Sequence, residues 1–143
     1  MNDDDTRDLQ GFLPYLLNMA AEEVSTDFAR VYKDRYGLLR TEWRVLFHLG
    51  QHGVMTAKSI TKKAKTHKTK VSRAVAALEK KRFLRRSEDP QDRRHAWLKL
   101  TPAGQAAFED LWAVAWRYDA KITAKFSAEE VAVLRRCLAE LAN

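Results

Sequence analysis

The sequence predicts a mainly α-helical fold with one small β-hairpin: a winged helix-turn-helix lobe flanked by longer helices. Three observations carry that expectation. Apolar Ala57, Ile60 and Ala64, then Val71, Ala74, Val75 and Leu78, recur at helical spacing, which marks two short helices joined by a turn. The second set leaves Lys68, Thr69, Lys70, Ser72 and Arg73 facing outward at the start of its helix, where a recognition helix carries its hydrogen-bonding groups. Residues 83–86 and 96–100 then read as strands, joined by a polar link over residues 87–95 that contains Pro90 and sets Arg93 and Arg94 near a wing tip.

Charge points the same way. Residues 56–95 hold 14 Lys/Arg against 4 Asp/Glu, a net of +10, on a chain of formal net charge +7, so the remainder sums to −3. A basic block on an otherwise slightly acidic chain is the footprint of a polyanion binder. Each cation that neutralises a phosphate releases condensed counterions, so binding weakens with salt. The plain alternative is a solvated basic surface. The coincidence of charge, helix-turn-helix and wing weighs against it.

At 143 residues the chain suits one domain with a real core, taken as residues 1–143. No run approaches the ~18 apolar residues of a membrane span. The start, Met1-Asn2-Asp3-Asp4-Asp5, is acidic, unlike a signal or transit peptide. The single cysteine excludes an internal disulfide framework and suits a reducing, cytoplasmic location. No Gly-rich phosphate loop and no nucleophile with its base can be picked out, so neither an enzyme nor a cofactor is expected.

Each element has its own signal. Pro14 suits the first turn of a helix whose face is Leu16, Ala20, Val24, Phe28 and Val31, and Gly37 suits its left-handed end. Thr41 is expected to cap the next helix, with Glu42 in its first turn and Trp43, Leu46, Phe47 and Leu49 apolar. Thr56 caps the first helix of the helix-turn-helix. Thr66 or His67 begins the second, which runs to about Lys81. Arg82 stands where glycine would end that helix, so it either turns left-handed at some cost or ends the helix another way. Thr101-Pro102 opens a long helix with Phe108, Leu111, Trp112, Ala115, Ile122 and Phe126 on one stripe. Ser127-Ala128-Glu129-Glu130 is a capping box for a last helix with Val131, Leu134, Leu138 and Leu141. Residues 12–37 and 102–142 carry more apolar surface than a central lobe of residues 40–101 can cover, so they are expected to be dimerisation helices. Two recognition helices about 34 Å apart would then read a palindrome.

These residues resemble the MarR family of bacterial winged-helix regulators over roughly residues 12–141. The resemblance rests on Leu39, Thr41, Trp43, Val45 and Leu46 ahead of the helix-turn-helix, and on Thr69-Lys70-Val71-Ser72-Arg73 leading to Leu78-Glu79-Lys80. Its most specific part is Asp92-x-Arg94 followed by Leu100-Thr101-x-x-Gly104. The family pattern has glycine where Arg82 stands. The resemblance implies a homodimeric transcription regulator, usually a repressor of a nearby operon. It also implies relief by a small molecule, often an aromatic or phenolic acid, in a pocket between the DNA-binding lobe and the dimerisation helices.

Lys68, Thr69, Lys70, Ser72 and Arg73 are the expected major-groove residues, some of them touching only phosphate. Arg73 has a second reading, an ion pair with Asp92 that braces the wing. Arg94, with Arg93 beside it, suits the minor groove, and Asp92 suits orienting Arg94. Lys62, Lys63 and Lys65 read as outer phosphate contacts or as solvated lysines. For an aromatic acid, Phe12, Tyr15, Asn18, Trp43, Arg44 and Phe47 could line a pocket in which Arg44 supplies the cation. Tyr15, Trp43 and Phe47 fit an ordinary core equally well. His48 and His52 have a metal-binding spacing, but no further ligand lies near, so no metal is expected. Cys137, among Leu134, Leu138 and Leu141, reads as a buried structural thiol rather than a redox sensor. The function expected is that of a ligand-responsive, sequence-specific DNA-binding repressor. The alternative is an architectural DNA binder with little sequence preference and no effector.

Overall fold

The computed structural model describes residues 8–143 apart from the side chains of Arg93 and Arg94; the acidic start lies outside the described residues. The chain forms two compact units, one ending at Trp112 and the other running Ala113–Asn143. After a single 3-10 turn (Leu9–Gly11) come α1 (Leu13–Tyr36), α2 (Arg40–His52), β1 (Met55–Thr56), α3 (Ala57–Ala64) and α4 (Lys68–Lys80). Strands β2 (Leu84–Asp89) and β3 (Asp92–Leu100) follow, then α5 (Pro102–Thr123) and α6 (Ala128–Ala142). The fold is thus mainly helical with one three-stranded antiparallel sheet, order β1-β3-β2.

Pro14 sits in the first turn of α1, and Gly37 ends that helix at φ 64°, its N–H donating to the Lys33 carbonyl. Helix α2 starts earlier than the sequence suggested. Its cap residue is Leu39, extended at φ −88° and ψ 166° with no side-chain cap, and Thr41 lies inside the first turn. The reason is Leu38, 1% exposed, which anchors the chain in the core immediately before the helix begins. The core also holds Val45 and Leu46 of α2, Ile60 of α3, and Val71, Val75 and Leu78 of α4. Leu84, Leu98 and Leu100 of the sheet and Leu111 of α5 complete this core. Burial of each such side chain contributes roughly 1.5–3 kcal/mol.

The hairpin is longer than expected. Residues 87–95 are mostly strand, and the turn is confined to Pro90 and Gln91, where the Gln91 N–H donates to Asp89 Oδ1 at 3.0 Å. Strand β1, not anticipated, pairs Met55 with Leu98 and Thr56 with Trp97. Alternation buries Leu98 and Leu100 and turns Trp97 out, 40% exposed.

The end of α4, the root of the hairpin and the start of α5 meet at one junction. Arg82 takes the left-handed conformation at φ 63°. Its carbonyl accepts a hydrogen bond from Thr101 Oγ1 at 2.6 Å, and the same hydroxyl accepts from the Gly104 N–H at 3.1 Å. The Thr101 N–H donates to the Phe83 carbonyl at 3.0 Å. Close by, Asp110 of α5 accepts from Arg35 at 2.9 Å and from the Tyr36 hydroxyl at 2.7 Å, which fastens the end of α1. Burial and these contacts with Asp110 raise the Tyr36 pKa above its ordinary value.

In the second unit the capping box forms as read. Ser127 Oγ accepts from the Glu130 N–H at 3.1 Å, and Glu130 Oε1 accepts from the Ser127 N–H at 3.0 Å. Arg135 of α6 pairs with Asp119 of α5. Cys137 corrects the expectation of a buried thiol: it is exposed. No residue of α6 is buried, and Leu134, Leu138 and Leu141 of the apolar stripe around the thiol are exposed.

A Cβ added at Gly104 would lie 1.9 Å from the Phe83 carbonyl oxygen, and backbone cannot yield cheaply. Gly104→Ala should therefore lose about 1–3 kcal/mol of stability in urea unfolding, the usual cost of overpacking against a neighbour that cannot move. A midpoint equal to the parent's would mean the junction is built differently.

Candidate nucleic-acid interface

The interface grows from two caps and one turn. Thr56 Oγ1 accepts from the Ser59 N–H at 3.1 Å and starts α3. Helix α3 ends at Lys65, left-handed at φ 50° and ψ 42°, whose N–H reaches the Thr61 carbonyl. His67 then caps α4, its Nδ1 accepting from the Thr69 N–H at 3.2 Å.

Helix α4 buries Val71, Ala74, Val75 and Leu78 and leaves Lys68, Thr69, Lys70, Ser72 and Arg73 exposed. The burial that fixes the helix against α2 and α3 thus also sets its polar face outward. Between α4 and the hairpin runs a groove of about 970 Å³. Lys58 and Lys62 of α3, Lys68 and Ser72 of α4, and Arg86 and His95 of the hairpin line it. Two expected residues, Lys68 and Ser72, therefore line the groove directly. Thr69, Lys70 and Arg73 share their helix and are open to solvent. Among the described residues Arg73 makes no ion pair, so it does not brace the wing through Asp92. Asp92 instead lies 3.5 Å from His95 Nε2. The side chains of Arg93 and Arg94 lie outside the described residues; their backbone belongs to β3.

Sequence reasoning missed Lys58, Arg86, Glu88 and His95 as groove residues. Hairpin parity held the signal for two of them. Arg86 pairs opposite Leu98 and Glu88 opposite Ala96, on the face that Leu84 begins. Arg86 Nε also lies 3.4 Å from Glu79 Oε2, a tie between wing and recognition helix. Both side chains are about half exposed, so the pair adds little stability, and its effect is on position.

The six residues nominated for a ligand pocket are only partly brought together. Trp43 and Phe47 have ring centroids 5.6 Å apart. Trp43 also meets Phe28 at 5.5 Å and Tyr32 at 5.8 Å, and Phe47 meets Trp112 at 5.2 Å and Phe108 at 6.4 Å. Arg44 of the same helix is exposed. Phe12, the residue before α1, and Asn18 in that helix are exposed, with Tyr15 half-buried.

His48 and His52 stack with centroids 6.0 Å apart. No group of three or more potential metal ligands occurs among the described residues. His48 Nδ1 is buried with no hydrogen-bond partner among the described residues. Burial first, then the charges of His52, Lys63 and Arg44, push the His48 pKa below its ordinary value. The folded protein therefore prefers the neutral ring. Its contribution to stability is present above the unfolded pKa of about 6.5 and is lost as pH falls through the lowered folded value. Thermal midpoints measured from pH 7.5 to 5 should fall more steeply for the parent than for His48→Gln. Parallel curves would mean this histidine is not held neutral.

The MarR family model matches residues 38–96, from the buried anchor before α2 to the middle of β3. The chain is 28% identical over 128 residues to the HTH-type transcriptional regulator FarR of Neisseria gonorrhoeae, covering 89% of this chain and 86% of that protein. It is 27% identical over 108 residues to the uncharacterized HTH-type transcriptional regulator YwaE of Bacillus subtilis, covering 76% of this chain and 63% of that one, so the match spans less than two thirds of the longer relative. A probable transcriptional regulator from Pseudomonas aeruginosa has 26% identity and a TM-score of 0.77, with 94% of this chain and 99% of that one covered. NadR, solved with 4-hydroxyphenylacetate, has 27% identity and a TM-score of 0.76, with 92% and 93% covered. The MepR–DNA complex of S. aureus, at 22% identity, shares the fold with a TM-score of 0.80 over 92% and 96%. The helix-turn-helix and hairpin of the chain match the MarR family model over residues 38–96, and nearly its whole length is similar to these transcriptional regulators.

Proposed function

We propose that the protein is a homodimeric, sequence-specific DNA-binding repressor, released from a palindromic operator by a small aromatic or phenolic acid. The observation that carries the DNA half is the groove between α4 and the hairpin, lined by cations from three elements. MepR, of the same fold, was solved with DNA. In this reading Arg73 contacts a guanine edge, Thr69, Lys70 and Ser72 take base edges or phosphates, and Lys68 takes a phosphate. Arg94 and Arg93 reach the minor groove, with Asp92 as their support.

Dimerisation rests on the apolar side chains that the single chain leaves open. Leu13, Leu16 and Met19 of α1 are 52%, 44% and 51% exposed, and Leu134, Leu138 and Leu141 of α6 are 45%, 40% and 59% exposed. Residues 12–37 and 102–142 would supply the dimer and residues 40–101 the DNA-binding lobe. For the effector, Trp43 and Phe47 offer aromatic walls with Arg44 as the cation, and Phe12, Tyr15 and Asn18 would complete the pocket. NadR was solved with 4-hydroxyphenylacetate, an acid of this class. The ligand acts only through its differential affinity for the DNA-competent and DNA-incompetent spacings of the two recognition helices. No described helix is long and apolar enough to cross a membrane. A cytoplasmic location goes with the DNA partner.

A gel shift on DNA upstream of the protein's own gene, competed with random duplex, separates this reading from an architectural one. Equal competition would favour the architectural protein. Arg73→Ala should weaken specific binding by about 1–3 kcal/mol and relax one base position, whereas Lys68→Ala should weaken all sequences alike and flatten the salt slope by about one. Parental binding in both variants would place the recognition surface elsewhere. Thermal unfolding against a panel of aromatic acids tests the effector. A ligand at 100 times its Kd should add about 2.7 kcal/mol, and a flat response across the panel would remove that class.

A further inference from the structure

Three lysines and one arginine line the groove: Lys58 and Lys62 of α3, Lys68 of α4 and Arg86 of β2. Among the described residues the three lysines make no ion pair, and Arg86 alone of the four is tied to a carboxylate, its Nε 3.4 Å from Glu79 Oε2. The backbone holds both partners in place. Arg86 pairs opposite Leu98, which is 1% exposed, and the Glu79 carbonyl accepts from the Arg82 N–H at 2.9 Å. The tie therefore joins two points that the core and the helix end already fix. With both side chains 45% exposed it adds little to stability.

Its geometry suits a different task. The contact is an ion pair, longer than an ordinary N–H···O bond of about 2.9 Å, so the guanidinium is oriented but not used up. The Nε side faces the carboxylate and leaves the Nη1–Nη2 end of the fork for a second acceptor. That planar end fits two oxygens of one phosphate. A loose arginine loses rotamer freedom when it binds, and one already leaning on Glu79 loses less. Glu79 itself has the wrong sign for a surface beside DNA, because a carboxylate repels phosphate. Setting a cation in place offsets that repulsion.

We propose that Arg86 is a phosphate contact on the wing side of the DNA interface, and that Glu79 is its positioning residue, holding the guanidinium ready before DNA arrives. This rests on the DNA-binding reading and adds to it a contact away from the outward face of α4 and from the wing tip. The pair contributes affinity and not sequence choice.

The test uses the full-length protein and a random-sequence duplex of about 30 base pairs, with binding followed across a salt series beside thermal unfolding. Arg86→Ala should flatten the slope of log affinity against log salt by about one, roughly fivefold weaker binding at physiological salt. Arg86→Lys should keep the slope and still bind about threefold more weakly, since an ammonium lacks the fork. Glu79→Gln should keep the slope and weaken binding by about two- to tenfold, although the loss of a negative charge alone would strengthen it. Added to Arg86→Ala, the same change should no longer weaken binding, because nothing is left to position. All midpoints should stay within about 4 °C of the parent's. A parental slope in Arg86→Ala overturns the phosphate contact. Unchanged or tighter binding by Glu79→Gln, or an equal loss in the Arg86→Ala background, overturns the positioning role. A larger fall in midpoint would make the pair a structural one and overturn both. If the parent itself shows no salt-dependent duplex binding, the DNA-binding reading falls and this inference falls with it.

Discussion

One hydroxyl group holds the interface together. Thr101 Oγ1 donates to the Arg82 carbonyl and accepts from the Gly104 N–H, so a single side chain joins the end of the recognition helix to the first turn of α5. The backbone of the same residue bonds Phe83, the root of the hairpin. Gly104 is there because a side chain would collide with the Phe83 carbonyl. These constraints explain the Leu-Thr-x-x-Gly motif: leucine in the core, threonine as pin and cap, glycine for close approach. With the root pinned, the Glu79–Arg86 tie need only trim the angle between wing and α4.

Much of the fold was legible from the chain. The stop at Gly37, the caps at Thr56 and Ser127 and the amphipathic pattern of α4 all follow from local chemistry, and local chemistry is what a sequence displays; of the two endings open to Arg82, the structure takes the left-handed one. The start of α2 was misread because Thr41 is a good cap by type, while burial of Leu38 decides where the helix begins. The length of the hairpin was misread because residues 87–95 are too polar to alternate visibly. Their order comes from backbone pairing with a strand whose register the core leucines set. Strand β1, two residues long, has no period at all.

The candidate sites divide along the same line. The outward face of α4 was readable because it is the complement of a buried face. Arg86 and His95 were harder, because their place in the groove depends on a register and not on a motif. The aromatic residues show the limit of periodicity. Trp43 and Phe47 sit in a continuous cluster with Phe28, Tyr32, Phe108 and Trp112, and a cluster of this kind has the same sequence signature whether it is packed solid or opens to admit a ring. The exposure of Cys137 could not be read from its neighbours, since leucines at helical spacing say that a face will be covered and not by which chain.

The order of the sheet has a consequence of its own. With β3 in the middle, both outer strands offer unpaired backbone groups to any passing strand, the usual start of edge-to-edge aggregation. Here β1 is only two residues long, too short to template an added strand. Strand β2 carries Arg85, Arg86, Glu88 and Asp89, so an incoming copy in register would set like charges against each other or strand them without water. The side chains that give the wing its polarity also keep its open edge solitary, a useful property for a protein that would be crowded with its own copies along DNA.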